Sequence, residues 1–344
     1  MRRPWFILFL PFYALAVWLR NRLFDLGILR ATRFDTPTLI IGNLNAGGSG
    51  KTPHTEFLLR MFKDKSCAVI SRGYGRKSKG FYWVNESGTA DQFGDEPLQI
   101  RKKFPHIPVA VCEDRVLAVP ELLGEYPDTD LILFDDAYQH RYLKGKVQIL
   151  LTAWSDLFMD DFLLPAGNLR EAKKEAKRAD IILVSKCPED VNVATKTAIR
   201  SRIKQFSQAP VFFTRYEAGA PVFVNPDHPA KFPEEDWKEQ AVFVFSAIAN
   251  ESKWANPYLF LFKEKVGELC YSDHHRFTKR DIDLFLKRWN SAGKPLVITT
   301  EKDWMRLMEF HSLLQEVPLF YFPVKVHLLS DEKEFESLLR KRLF

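Results

Sequence analysis

TLIIGNLNAGGSGKTPHT, residues 38 to 55, is the stretch from which the fold is read. Its apolar run Leu39-Ile40-Ile41 has the character of a buried strand, and Glu56 to Met61 continues as a helix-compatible segment. Between them lies a Gly-rich turn that ends in Gly50-Lys51-Thr52. Strand, Gly-rich turn and helix in that order are what a phosphate-cradling P-loop requires. Gly47, Gly48 and Gly50, with Asn45 and Ser49 among them, let backbone N–H groups crowd around phosphate oxygens, and the helix N-terminus adds partial positive charge. Lys51 would then reach the β- and γ-phosphates, and the Thr52 hydroxyl would ligate Mg²⁺. Asn45 stands where the standard pattern has its first Gly. The plainer alternative is a Gly-rich turn with an incidental Gly-Lys-Thr.

Downstream, Cys67-Ala68-Val69-Ile70 reads as a second strand running into Ser71-Arg72-Gly73-Tyr74-Gly75-Arg76. Arginines at the carboxyl end of a parallel strand sit where open α/β sheets bind ligands. The alternative is a flexible basic loop. Leu131-Ile132-Leu133-Phe134 then delivers Asp135 and Asp136 at the end of a further strand, the Walker B arrangement, in which a carboxylate meets Mg²⁺ beside the P-loop Thr. Adjacent carboxylates call for a cation. Gly94-Asp95-Glu96-Pro97 opens a helix, where acids serve either the helix dipole or chemistry. Asp273-His274-His275 is a surface triplet or a carboxylate-oriented proton carrier. Ser185-Lys186-Cys187-Pro188-Glu189-Asp190 ends another strand but lacks the Asn-Lys-x-Asp order that reads guanine.

Upstream, Met1-Arg2-Arg3 precedes an uncharged run from Pro4 to Leu19 with six aromatic residues, followed by Arg20 and Arg22. The run is slightly short for a bilayer span and Pro11 interrupts it. Aromatic residues flanked by arginines fit an interfacial helix sunk into one leaflet; a true span, a soluble hairpin and a dimer face are the alternatives.

The 344 residues suffice for two packed domains, and a net charge of +6 suits an anionic partner. Four scattered cysteines without a CxxC spacing suggest neither a zinc site nor a disulfide framework, and fit a reducing compartment. Strand–helix alternation predicts an α/β fold: a P-loop NTPase-type parallel sheet flanked by helices, a second smaller α/β domain and an N-terminal membrane-associated helix. The expected divisions are 1–30 for the membrane helix, 31–213 for the nucleotide-binding domain, 214–240 for a connector and 241–344 for the smaller domain.

Across nearly its whole length the chain resembles the tetraacyldisaccharide 4'-kinase family, the lipid A kinases of Gram-negative bacteria. The resemblance is carried by GNLNAGGSGKTP at 42–53, SRGYGR at 71–76, GDEP at 94–97, DDAYQH at 135–140, LPAGNLRE at 164–171, DHHRF at 273–277 and TEKD at 300–303. Ala137-Tyr138 replaces the family's usual Gly-Phe. The resemblance implies transfer of the ATP γ-phosphate to the 4'-hydroxyl of a tetraacylated disaccharide 1-phosphate at the cytoplasmic face of the inner membrane. It also implies Asp95 as general base with His274 tuning it, and Lys51 on the transferring group. Thr52 and Asp135 would hold Mg²⁺, with Asp136 and Glu96 in support. Arg72, Tyr74, Arg76, Arg115, His140, Asn168, Arg170 and Glu171 would contact the acylated substrate. A monomer with no nucleic-acid partner is expected. The rival reading is a membrane-associated P-loop ATPase or GTPase switch acting on a protein partner.

Overall fold

The structure is a computed structural model and describes residues 6, 9–225, 234–248, 255–273 and 275–344. From the amino terminus, α1 (Leu10–Asp25) precedes β1 (Thr38–Asn43), α2 (Lys51–Met61), β2 (Cys67–Ser71), β3 (Tyr82–Trp83), α3 (Ala90–Phe93), α4 (Asp95–Lys103) and β4 (Val109–Val111). Next come α5 (Arg115–Glu125), β5 (Leu131–Asp135), β6 (Val147–Ala153), β7 (Ile181–Ser185), α6 (Val193–Ile203), β8 (Val211–Ala218), β9 (Val222–Phe223) and β10 (Ala241–Ser246). α7 (Asn256–Leu259), β11 (Glu264–Cys270), α8 (Lys279–Ser291), β12 (Leu296–Thr299), α9 (Glu301–Leu307), β13 (Leu319–Tyr321), β14 (Val324–Leu328) and α10 (Glu332–Leu343) complete the chain.

Among the described residues the strands form two sheets, ordered β14-β8-β7-β6-β1-β5-β2-β4-β3 and β11-β10-β12-β13-β9. In the first, every pairing from β8 to β4 is parallel, while β14 and β3 close its edges antiparallel. Because β1 lies between β5 and β6, with β2 beyond β5, the carboxyl ends that carry the P-loop, the acid pair and the arginine loop open on one edge. β1 is buried at every position, as its unbroken apolar run requires in a sheet covered on both faces.

The division at 241 does not follow the sheets. β8 runs through Ala218, inside the expected connector, and β14 pairs with it from Ala218↔Val324 to Thr214↔Leu328. The last strand and helix therefore return to the first sheet. Phe335 of α10 lies against the rings of Phe212 (5.1 Å) and Phe57 (6.2 Å), giving the helix's apolar stripe its partner. One continuous buried cluster joins Leu39, Ile41 and Leu58 to Phe243, Phe245 and Val297, so the sheets share a core.

α1 begins at Leu10, and Pro11 occupies its first turn, where a missing N–H costs nothing; the proline starts this helix and does not break it. No helix among the described residues is long and apolar enough to cross a membrane.

Candidate active site

The P-loop follows β1 and ends in Gly50, which N-caps α2 at φ 84°. A Cβ there would lie 1.6 Å from the Tyr216 hydroxyl, so only glycine fits both the dihedral and the space. Asn43 donates to the Gly47 carbonyl (3.3 Å). Behind the loop His54 is fully buried, its Nδ1 2.7 Å from the Gly50 carbonyl and its Nε2 2.9 Å from the Thr214 hydroxyl. Burial holds this ring neutral, with its pKa lowered to about 4. The Asn45 amide reaches Asp156 (3.2 Å), so this residue braces the loop from behind.

Asp135 ends β5 next to the P-loop helix and accepts from the Thr55 hydroxyl (3.0 Å) and from Thr52. Burial, then the neighbouring charge of Asp136, pushes its pKa up to about 6. Asp136 takes a left-handed φ of 51°, which turns the chain sharply after the strand. Burial works against its ionisation, but Lys51 and Arg170 outweigh it and hold the carboxyl below the usual range. Lys51 Nζ stands 3.6 Å from Asp136 and 3.3 Å from Asn43 Oδ1. Arg170 donates to Asp136 (3.4 Å), Asn43 (3.2 Å) and Gln139 (3.3 Å).

An oxygen-only donor set of two carboxylates and a hydroxyl fits Mg²⁺, which typically takes one or two carboxylates and completes its shell with water and substrate phosphates. The raised pKa of Asp135 marks an anion short of a counter-charge. Glu96 is not part of this set. It pairs with Lys302 (2.7 Å), and no group of three or more His, Cys, Asp or Glu able to hold a metal occurs among the described residues.

Asp95, at the first turn of α4, is buried and bound by α9 of the second sheet. Arg306 donates to it through Nε (2.9 Å) and Nη2, and Lys302 lies 3.8 Å away. Burial opposes its ionisation, yet the Glu96 hydrogen bond, Lys302 and Arg306 together hold it well below the usual carboxylate range. Burial and the Asp95 charge push Glu96 the other way. Asp95 and Arg306 line a cavity of about 330 Å³ shared with Tyr74, Arg276 and Phe277. Arg276 donates across it to the Gly75 carbonyl, so the arginine loop meets the Asp273–Phe277 stretch there. His274 lies outside the described residues. His275 is engaged by Asp281 (3.1 Å) and stacked on Tyr271.

The other expected substrate residues divide into two groups. Arg115 is buried behind α5's first turn, its pKa drawn down to about 10 by burial and then by Arg72, and it faces Asp136. His140 stands 3.7 Å from Asp114 and is kept neutral, at about 4, by burial and Arg115. Arg115 and Arg170 thus face Asp136, and Arg72 and His140 lie beside Arg115. Arg76 and Glu171 do not join them. Arg76 is buried and committed to Glu113 (2.7 Å) and the Gly80 carbonyl (2.7 Å). Glu171 is turned inward to Asn21 of α1 (3.1 Å) and to Arg178. Asn168 supports the P-loop entry through its carbonyl, which accepts from the Ala46 N–H (2.6 Å).

Asn43, Gln139, Lys302 and Arg306 were not among the expected site residues. Asn43 and Gln139 sit inside quoted motifs, and TEKD contains Lys302, so their position was signalled though their partners were not. Nothing local marks Arg306, which finds Asp95 across 211 positions.

A P-loop, a paired-acid strand end and a carboxylate in the cleft between the sheets define a P-loop nucleotide-dependent phosphotransferase. Residues 4–344 match the model of the family Tetraacyldisaccharide-1-P 4'-kinase. The chain is 40% identical over 332 residues to the tetraacyldisaccharide 4'-kinase of Phocaeicola vulgatus, covering 94% of this chain and 90% of the relative. It is 37% identical over 326 residues to that of Flavobacterium johnsoniae, covering 94% and 92%. The structure is similar to the crystal structure of LpxK from Aquifex aeolicus in complex with ATP, at a TM-score of 0.76, 28% identity and 98% coverage of both chains. The chain belongs to the tetraacyldisaccharide-1-P 4'-kinase family.

Proposed function

We propose that this protein transfers the γ-phosphate of ATP to the 4'-hydroxyl of a tetraacyldisaccharide 1-phosphate at the cytoplasmic face of the inner membrane, as a peripheral protein. One observation carries the link between nucleotide and lipid: α1 is hydrogen-bonded to the residues of the acid-pair site. Tyr13 donates to the Arg170 carbonyl (2.9 Å) and Arg20 to the Gln139 carbonyl (3.0 Å). Phe9, Phe12, Leu15, Trp18 and Leu19 of the same segment face outward, and a cavity of about 410 Å³ lies between α1 and Leu163, Ala172 and Glu175. An apolar helix of this kind settles into a leaflet boundary, which puts acyl chains beside Asp136 and Arg170.

In this reading Lys51 and Arg170 bind and orient the triphosphate and counter the charge that spreads over its oxygens in the transition state. Thr52, Asp135 and Asp136 would hold Mg²⁺, which supplies further neutralisation of phosphate charge. Asp95 accepts the proton of the sugar hydroxyl. Bound by Arg306 and Lys302 it is ionised but weakly basic, so the acceptor must loosen that pairing for Asp95 to take the proton. Arg72 and Arg115 supply cationic forks for a substrate phosphate. Radiolabelled ATP with a lipid A disaccharide precursor in detergent, with and without Mg²⁺, tests the assignment. A labelled bis-phosphorylated lipid is expected, and hydrolysis of ATP with no labelled lipid overturns it.

A further inference from the structure

SKCPED, residues 185 to 190, closes β7 on the edge where the P-loop opens, and the reaction described above gives it no task. Its first two side chains both reach the loop. The Ser185 hydroxyl donates to the Ser49 carbonyl (2.8 Å), and the Lys186 ammonium donates to the Gly48 carbonyl (2.6 Å). Lys186 holds a left-handed φ of 57°, a conformation a non-glycine residue keeps only where its surroundings impose it. Its ammonium also lies 5.7 Å from the centre of the Tyr216 ring, whose hydroxyl abuts Gly50.

Lys186 is exposed as a residue; loss of water around its ammonium at the loop, then Lys51, lowers its pKa, while Asp273, beyond β11, opposes them. Two ammonium groups therefore converge on one Gly-rich loop and destabilise each other. Lys51 is compensated by Asp136 and Asn43, but the contact of Lys186 with the loop is a neutral carbonyl. Like charges held together at a nest of backbone N–H groups are a site prepared for a polyanion.

We infer that Lys186 is a second ammonium ligand of the nucleotide's phosphates, exchanging the Gly48 carbonyl for a phosphate oxygen when a nucleoside triphosphate enters. The inference rests on the ATP-dependent reading and adds a residue to it. The nucleotide, and not the acceptor's own phosphate, is the occupant because Lys186 touches the P-loop itself, whereas Arg115 is grouped with Arg72 and Asp136.

The test is calorimetric titration of the full chain, without lipid, with MgATP and MgADP, for wild type and for Lys186→Ala, Lys186→Gln and Lys186→Arg. Loss of one charge-assisted hydrogen bond weakens ATP binding by about tenfold or more. Lys186→Ala and Lys186→Gln are expected to show that loss together with a shallower salt dependence, and Lys186→Arg to stay within about threefold of wild type. Glutamine can still donate to the Gly48 carbonyl, so wild-type affinity in Lys186→Gln would reduce Lys186 to a prop and overturn the inference. Unchanged ATP affinity with a raised KM for the lipid overturns it too, by placing the ammonium on the acceptor. If Lys186→Ala fails to fold, the Gln and Arg variants decide. Wild-type protein that binds no ATP overturns the kinase reading along with the inference; wild-type binding with unaffected variants overturns the inference alone.

Discussion

Replacing Arg306 by Met removes the guanidinium that joins the two sheets at the reaction centre. It donates to Asp95 (2.9 Å through Nε), to Asp303 (3.2 Å) and to the Ala247 carbonyl (3.1 Å), with both carboxylates buried. Breaking a buried ion pair from one side costs about 3–5 kcal/mol, because the partner charge stays behind in a poorly solvating place. An unfolding entropy of about 2.1 cal/mol/K per residue makes a chain of 344 residues respond with a fall of roughly 4–7 °C in Tm. The same change acts on the chemistry. With Arg306 gone, burial outweighs the remaining help from Glu96 and Lys302, and the Asp95 carboxyl rises from its depressed position. In the proposed role of Asp95 as base, which requires it ionised, the acidic limb of the kcat/KM profile is expected to move to higher pH. Scanning calorimetry and phosphoryl-transfer rates between pH 4 and 9 read both effects. Arg306→Lys should recover most of the pH profile, and Asp95→Asn combined with Arg306→Met most of the lost stability. An Arg306→Met enzyme with wild-type Tm and an unmoved acidic limb would falsify the pairing as described.

Acid should weaken the protein through His54, whose native pKa of about 4 lies below its unfolded value near 6.5. Between those values the unfolded chain binds a proton that the native one refuses, so stability is complete above pH 6.5 and declines toward pH 4, by up to about 3 kcal/mol. Urea midpoints at pH 7.5 and 4.5 should separate less in His54→Gln than in wild type; an equal separation removes His54 from the effect. On the proposed role of Asp135 as a Mg²⁺ ligand, magnesium dependence should sharpen as pH falls, because this carboxyl, raised to about 6, must lose its proton to bind the ion. The half-saturating Mg²⁺ concentration for turnover should therefore be several-fold higher at pH 5.5 than at 7.5, and pH-independent values would contradict this. On α1, Phe12 and Trp18 are exposed, so Phe12→Asp with Trp18→Asp should leave Tm unchanged while lowering affinity for anionic vesicles more than tenfold, at roughly 2 kcal/mol per apolar side chain withdrawn. Vesicle flotation decides, and unchanged binding would place the membrane contact elsewhere.

Read by itself, the sequence settled whatever is written in consecutive residues. An apolar run, a Gly-rich turn and Gly-Lys-Thr specify a P-loop because strand, turn and helix are local backbone choices, and the acid pair after Leu131–Phe134 is legible for the same reason. α4 begins at Asp95 for an equally local cause, a helix start rich in acids, whereas the docking of α1 beside Arg170 and Gln139 is a tertiary contact that the aromatic run does not encode. Only the tertiary structure decided which charges are spent. Arg76 and Glu171 read as ligands, yet each is consumed by another partner, the exposed Glu113 for one and Asn21 with Arg178 for the other. It also decided that β14 and α10 belong to the first sheet, and that Arg306 belongs to Asp95. The pairings of β14 with β8, Asn21 with Glu171 and Arg306 with Asp95 join residues far apart along the chain, and the last draws its energy from charges meeting in a low-dielectric core. No spacing rule encodes them, because the distance between such partners exists only once both sheets have closed on their shared core.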